Sequence, residues 1–239
     1  MSFSPIALTQ NERYDRLTKK VIQKVCSNNS VCIDIGAHEG KILSMMVAQS
    51  PFVKHYAFEP IPALFQLLEE RFSNNVLISQ LAISDKKGIT SFNLVNSNYA
   101  LSGIKKRRYS KQEIDSNLVV HTDCLDHVIP YTEKVALIKL DIEGGELLAI
   151  KGALKTIAFS QPILVFECGK IGGEAYDFSA KDAYQLFDKV LNYQLFLLQD
   201  WLLDNAPLSF QKFQHYFEEG TEFFFLAAPK ATKADRLSN

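Results

Sequence analysis

Four short apolar runs in this chain each carry an acid at or beside their carboxyl end. Val31-Cys32-Ile33-Asp34-Ile35 breaks at Gly36, His55-Tyr56-Ala57-Phe58 runs into Glu59, Val135-Ala136-Leu137-Ile138-Lys139-Leu140 into Asp141, and Ile163-Leu164-Val165-Phe166 into Glu167. Runs of this length read as buried strands, and helical patterns lie between them. One follows at 39–49, and another is opened by Pro60 and Pro62 and carried through Phe72. Further helices are expected at about 145–158 and 180–191, with strands near 193–198 and 223–227. Near-continuous apolar strands alternating with helices predict a doubly wound α/β sheet, mostly parallel, with a late antiparallel strand. Such sheets bind ligands beyond the carboxyl ends of their strands. The acids therefore collect where a site must be.

The loop after the first run narrows the ligand. Gly36 permits torsions denied to other residues and leaves room for close approach to the main chain. The spacing from Gly36 to Gly40 is G-x-x-x-G, not the G-x-G-x-x-G that cradles a pyrophosphate. Asp34 would repel a phosphate and suits a ligand carrying an ammonium group. S-adenosylmethionine (SAM) has an amine and a cationic sulfonium, and no phosphate. Glu59 lies about where a βαβ nucleotide fold places the acid that takes the ribose hydroxyls, and it reads alternatively as a helix-start acid. His38 reads either as a contact to the methionine moiety or acceptor, or as an exposed loop residue.

Asp141 and Glu143 stand two positions apart at a strand end, ahead of Gly144 and Gly145. Carboxylates so placed can accept a hydroxyl proton, bind a divalent cation or orient a sugar. The plainer alternative is a capping arrangement with Glu146 at a helix start. Asp141 and Glu167 end what should be neighbouring strands, so a shared cation is conceivable, although nothing requires a metal.

The segment 84–130 is an insertion. It offers short strands at 90–94 and 118–120 around a polar, irregular stretch at 96–116. Its run Lys105-Lys106-Arg107-Arg108 reads either as a solvated loop or as a grip on an anionic group of the substrate. Trp201, Phe210, Phe213, Tyr216 and Phe217 read as core, with cover of the site from the C-terminal side as the alternative.

At 239 residues a single domain is expected, with an N-terminal helix at about 10–28, a core at 29–229 and a loose tail at 230–239. A net charge of −1 gives no general case for nucleic acid. Four cysteines without metal spacing fit a reducing compartment. With no leader pattern at residues 1–5 and no membrane-length apolar run, the expected setting is cytoplasmic.

Cys32-Ile33-Asp34-Ile35-Gly36-Ala37, Ala57-Phe58-Glu59-Pro60, Leu81-Ala82-Ile83-Ser84-Asp85, Ile138-Lys139-Leu140-Asp141-Ile142-Glu143-Gly144 and Val165-Phe166-Glu167 occur in that order. Together they resemble the FkbM family of SAM-dependent methyltransferases over roughly residues 30–170, and Gly152 matches a further family position. The resemblance implies a class I, Rossmann-like fold and O-methylation of a sugar or other small hydroxylated molecule. It implies cofactor contacts at Asp34, Gly36, Ala37, Glu59 and Ala82, the last beside the adenine. It places Asp141 and Glu143 beside the transferred methyl, with Glu167 and His38 as further candidates for the chemistry. His38 stands where the family more usually has asparagine. The rivals are an RNA methyltransferase, favoured by Lys139, Asp141 and the basic loop, and an idle SAM-binding module.

Overall fold

The computed structural model describes residues 9–230. The leader reading at residues 1–5 and the tail beyond Lys230 lie outside the described residues. Lys230 itself is held, its backbone N–H donating to Asn192 at 3.0 Å and its Nζ to Asp188 at 2.6 Å.

The chain opens with α1 (Gln10–Val25), then β1 (Val31–Ile35), α2 (Lys41–Gln49), β2 (His55–Phe58), α3 (Pro62–Phe72) and β3 (Val76–Ser79). Thr9 caps α1 in a reciprocal arrangement with Glu12, and Pro62 pre-sets the first turn of α3. The insertion follows as β4 (Ala82–Ile83), β5 (Gly88–Val95) and β6 (Asp115–Asp123), then α4 (Leu125–Val128). The second half runs β7 (Val135–Leu140), α5 (Glu146–Lys151), α6 (Leu154–Ser160), β8 (Ile163–Glu167), α7 (Lys170–Tyr176), α8 (Ala180–Gln185), β9 (Tyr193–Leu197), α9 (Leu198–Leu202), α10 (Phe210–Glu219) and β10 (Phe224–Pro229).

Seven strands form the main sheet in the order β3-β2-β1-β7-β8-β10-β9. The first five pair in parallel, and β10 inserts antiparallel between β8 and β9. Both faces are covered. One packs Ile33, Ile35, Ile138 and Phe166 against α4, α5, α6, α8 and α10, and the other packs Cys32, Leu137 and Val165 against α1, α2, α3 and α9. The strand order reverses between β1 and β7, so the cleft above their carboxyl ends is the natural binding crevice.

Three elements depart from the expectations. The helix expected at 145–158 is two, α5 and α6, broken at Gly152. A Cβ there would meet the Ser84 carbonyl oxygen at 2.0 Å, so the backbone of the insertion presses directly on the break. The short strands at 90–94 and 118–120 are one long antiparallel hairpin, paired from Gly88↔Thr122 to Val95↔Asp115. Its polar loop is ordered in part, turning through Tyr99–Leu101 and returning by an Asn93↔Gly103 bridge. The helix expected at 180–191 is α8 continued by a π-helical stretch, Leu186–Leu191.

Candidate active site

A cavity of about 440 Å³ lies over the carboxyl ends of β1, β2, β4, β7 and β8. Residues of α1 (Tyr14, Thr18) and the approach to β10 (Phe223, Phe224) close it from the side. Six carboxylates line it (Asp15, Glu39, Glu59, Asp141, Glu143, Glu167) against three cations (Lys41, Lys139, Arg107). Burial pushes the His38 pKa below the ordinary value, which disfavours its cationic form. Two of the six carboxylates, Glu59 and Glu167, hold protons more strongly than usual, so the surplus of negative charge is modest, and it suits a cationic ligand better than a pyrophosphate.

Gly36 begins the loop at one end. Its φ is +76°, its N–H donates to Phe58 O at 2.9 Å, and a Cβ would meet the Asp141 carbonyl oxygen at 2.1 Å. The glycine is thus required by the contact between two loops of the protein itself. Glu59 lies beneath the loop, 4% exposed. It accepts from the His38 N–H at 2.9 Å and the Ile61 N–H at 3.0 Å. It braces the loop, and each carboxylate oxygen keeps a free lone pair. Burial raises its pKa to about 7, with the two backbone donors opposing. Ala37, Leu81 and Ala82 supply apolar wall.

The structure corrects the expectation for Asp34. Asp34 is fully enclosed and does not line the cavity. Parallel register sets Asp34 beside Lys139, and with alternation both side chains fall on the same sheet face. Lys139 Nζ is 3.2 Å from Asp34 and donates to the Gly36 carbonyl at 2.8 Å. Burial works against its charge, but Asp34 and Asp141 more than offset this, and its pKa is raised. Asp34 acts on the cavity through Lys139, which holds the glycine loop. Lys139 is a residue that motif reading undervalued, although a lysine inside an apolar strand was visible.

At the other end Asp141, Glu143 and Glu167 bring carboxylate oxygens within 4.8 Å of one another. That spacing would admit a divalent cation, but Arg107 already stands there, ion-paired with Glu143 and 3.7 Å from Glu167. Burial and the neighbouring Asp141 carry the Glu167 pKa well above the ordinary range. Glu146 stands at the helix start, as the plainer reading has it, but braces the preceding turn rather than capping α5. It is 1% exposed and accepts from Ile142 N–H at 2.8 Å and Gly144 N–H at 3.3 Å, fixing the Asp141–Gly144 turn.

The basic run proves to be neither a solvated loop throughout nor a free anion grip. Lys106 pairs with Asp115 at 2.5 Å, Arg108 with Glu174 at 3.3 Å, and Arg107 turns inward. Phe213 and Phe217 are core as expected, whereas Phe223 and Phe224 on the cavity wall were not foreseen.

The model of the Methyltransferase FkbM domain matches residues 34–196. The chain belongs to the FkbM methyltransferase family. A solved FkbM methyltransferase from Methylobacillus flagellatus KT superposes at TM-score 0.50 and 17% identity, covering 84% of this chain. This FkbM-family chain spans only 44% of that protein's length. A putative rRNA methylase from Clostridium thermocellum superposes at TM-score 0.51 with 8% identity, covering 95% of this chain and 99% of that one. At such identities the superpositions speak for the fold alone. No curated protein is detectably similar in sequence.

The residues present fit the family's cofactor. The cavity is lined by more carboxylates than cations, the buried Glu59 at the end of β2 keeps lone pairs free for hydroxyl donors, and the glycine loop faces the cavity without a phosphate cradle.

Proposed function

We propose that this FkbM-family protein transfers a methyl group from SAM to a hydroxyl of a small uncharged molecule, a sugar in the simplest case. SAM supplies an electrophilic methyl on a sulfonium that leaves as a neutral thioether. The chain's own residues hold, align and deprotonate. Glu59 offers its remaining lone pairs to ribose hydroxyls, Lys139 fixes the Gly36 loop, and Leu81 and Ala82 cover the base. Alignment of the acceptor oxygen at ~3–3.5 Å from the methyl carbon supplies several kcal/mol of the barrier.

The observation that carries the reading is the placement of Asp141. Its carboxylate is one-third exposed at the cavity end of β7, beside a Glu167 of raised proton affinity. Asp141 is the group placed to accept the hydroxyl proton. Arg107 supplies the positive charge that a metal would otherwise bring to these acids, which supports a reaction with no divalent cation. Arg107 turns inward to Glu143, so the basic run presents fewer cations to an RNA than its sequence suggests. The four cysteines, all unpaired, favour a reducing, cytoplasmic setting. Among the described residues no helix is long and apolar enough to cross a membrane.

The test is transfer of labelled methyl from SAM to methyl glycosides, cell metabolites and RNA, with a chelator present. Label in small hydroxylated molecules supports the reading, and label confined to RNA overturns it. Asp141→Asn should lower turnover about 10²–10⁴-fold, as loss of a general base does, with cofactor affinity little changed.

A further inference from the structure

Where β6 ends and α4 begins, Asp123, Cys124 and His127 bring a carboxylate oxygen, a thiol sulfur and an imidazole nitrogen within 4.8 Å of one another. None of the three lines the cavity described above. We infer that these side chains form a zinc site, with water as the fourth ligand, that clamps the end of the insertion sheet to α4.

The donor set is the first argument. Zinc accepts sulfur, nitrogen and oxygen together in four-coordinate sites, whereas magnesium and calcium take oxygen. The cysteines show no metal spacing among themselves, but Cys124 and His127 lie three apart, on one helical turn. His127 Nδ1 is 2.7 Å from Asp123 Oδ1. Tetrahedral zinc bonds of about 2.0–2.2 Å hold neighbouring nitrogen and oxygen ligands roughly 3.4 Å apart. The pair must therefore part by less than an ångström, and the His127 side chain, 58% exposed, is free to move that far. The Asp123–His127 contact alone would account for two of the residues and leave the third unexplained. Cys124 is 8% exposed, and its thiol has no hydrogen-bond partner among the described residues.

Charge is the second argument. Burial pushes the Cys124 pKa up, and Asp123, Asp85 and Asp126 push it further. Asp126 is committed to α6, accepting from the Lys155 N–H at 2.9 Å and the Thr156 N–H at 2.8 Å, so it adds charge rather than a ligand. Against these three acids stands Lys87, 3.5 Å from Asp123 and 78% exposed at the side chain, hence easily displaced. A thiol so placed releases its proton when a cation takes the proton's place. The position gives the ion a structural task. Asp123 O accepts from the Ser84 N–H at 3.0 Å, and Asp123 pairs in register with Ile83 of β4. An ion here ties β4 and β6 to α4, and its binding energy adds to the stability of the folded chain.

Cobalt(II) reads such a site directly, because a cobalt–thiolate bond absorbs in the near ultraviolet and oxygen ligands give no such band. The full chain, stripped with a chelator, is titrated with cobalt and then with zinc. The expected result is a thiolate-to-cobalt band that saturates at one ion per chain and is bleached by zinc, with a rise in Tm on zinc addition. Cys124→Ser, which keeps the size of the side chain, should abolish the band and the Tm shift. His127→Ala, at an exposed ring, should weaken cobalt affinity at least tenfold. Near-ultraviolet circular dichroism and affinity for S-adenosylhomocysteine (SAH) check that both variants keep the fold. Cobalt binding without the band overturns the site and places the ion among oxygen ligands such as Asp141, Glu143 and Glu167. A band that survives in Cys124→Ser overturns it in favour of Cys26 and Cys32, whose sulfurs are 3.4 Å apart. Unchanged affinity in His127→Ala overturns the three-donor set, and absence of any binding by the wild type overturns the whole inference.

Discussion

Lys139 shows how one side chain in an apolar strand ties the fold to the site. The sequence places it between Ile138 and Leu140, where it counts only toward an RNA acceptor, because the motifs direct attention to the acids beyond the strand. Its importance comes from lateral register with Asp34 on β1, a relation between positions a hundred residues apart that spacing along the chain cannot express. Removing the ammonium would leave a fully buried carboxylate without a counter-charge. Breaking a buried pair by deleting one partner costs about 3–5 kcal/mol, whereas neutralising both is far milder. Lys139→Met should therefore lower the urea midpoint sharply, and Asp34→Asn in that background should recover most of the loss. Equal midpoints for the single and double variants would show that Asp34 is not the group Lys139 compensates. Asp34 itself illustrates the limit of a motif: its position was legible, while its enclosure beneath the cavity needed the packing of α1 and α2 to be known.

At the scale of elements, the legible parts were those with strong local signals. The parallel strands announced themselves by apolar runs, and α1 and α3 by periodicity and caps. The insertion was harder. β5 and β6 alternate along surfaces where Ile89 and Val119 remain exposed, so the pattern gives short segments rather than one hairpin. That hairpin matters because its loop delivers Arg107 to the acids of β7 and β8, a long-range placement absent from the run's local sequence. α5 is different: Glu146 was legible as a helix-start acid, and it stands there, bracing the turn before the helix. Its carboxylate is the partner of the Ile142 and Gly144 N–H groups, and burial raises its pKa to about 7. Glu146→Ala strands both donors in a buried turn, at about 1–3 kcal/mol for each unsatisfied group. Chemical denaturation should show a loss of that order, and Glu146→Gln, which keeps an oxygen acceptor, should lose less. Alanine and glutamine variants of equal stability would remove the bracing role.

Over the whole molecule, folding concentrates acid at one end of a chain whose net charge is only −1. Composition could not reveal this, since it averages the cavity with its balancing surface cations; only the order of strand ends hinted at it. The consequence is a coupling between pH, ligand and stability. Glu59 and Glu146 both have carboxyls raised from 4.5 to about 7 in the fold. Between those values the folded protein holds protons that the unfolded chain has released, so these two groups make stability fall as pH rises through 7. In the proposed site the ribose hydroxyls donate to the ionised form of Glu59, and on that reading cofactor affinity runs the other way. With a pKa near 7 the ionised fraction rises about tenfold from pH 6 to pH 8, and SAH affinity should rise by about that factor. Saturation with a ligand at a hundred times its Kd adds about 2.7 kcal/mol, which for a protein of this size is roughly 5–10 °C in Tm. Thermal melts at fixed SAH should therefore show a shift of that size at pH 8 and a smaller one at pH 6. Glu59→Gln should give the same, reduced shift at both pH values. NAD should give none at either. A pH-independent SAH shift in the wild type would separate Glu59 from the ribose, and a shift with NAD would contradict the acidic cavity as the feature that selects the ligand.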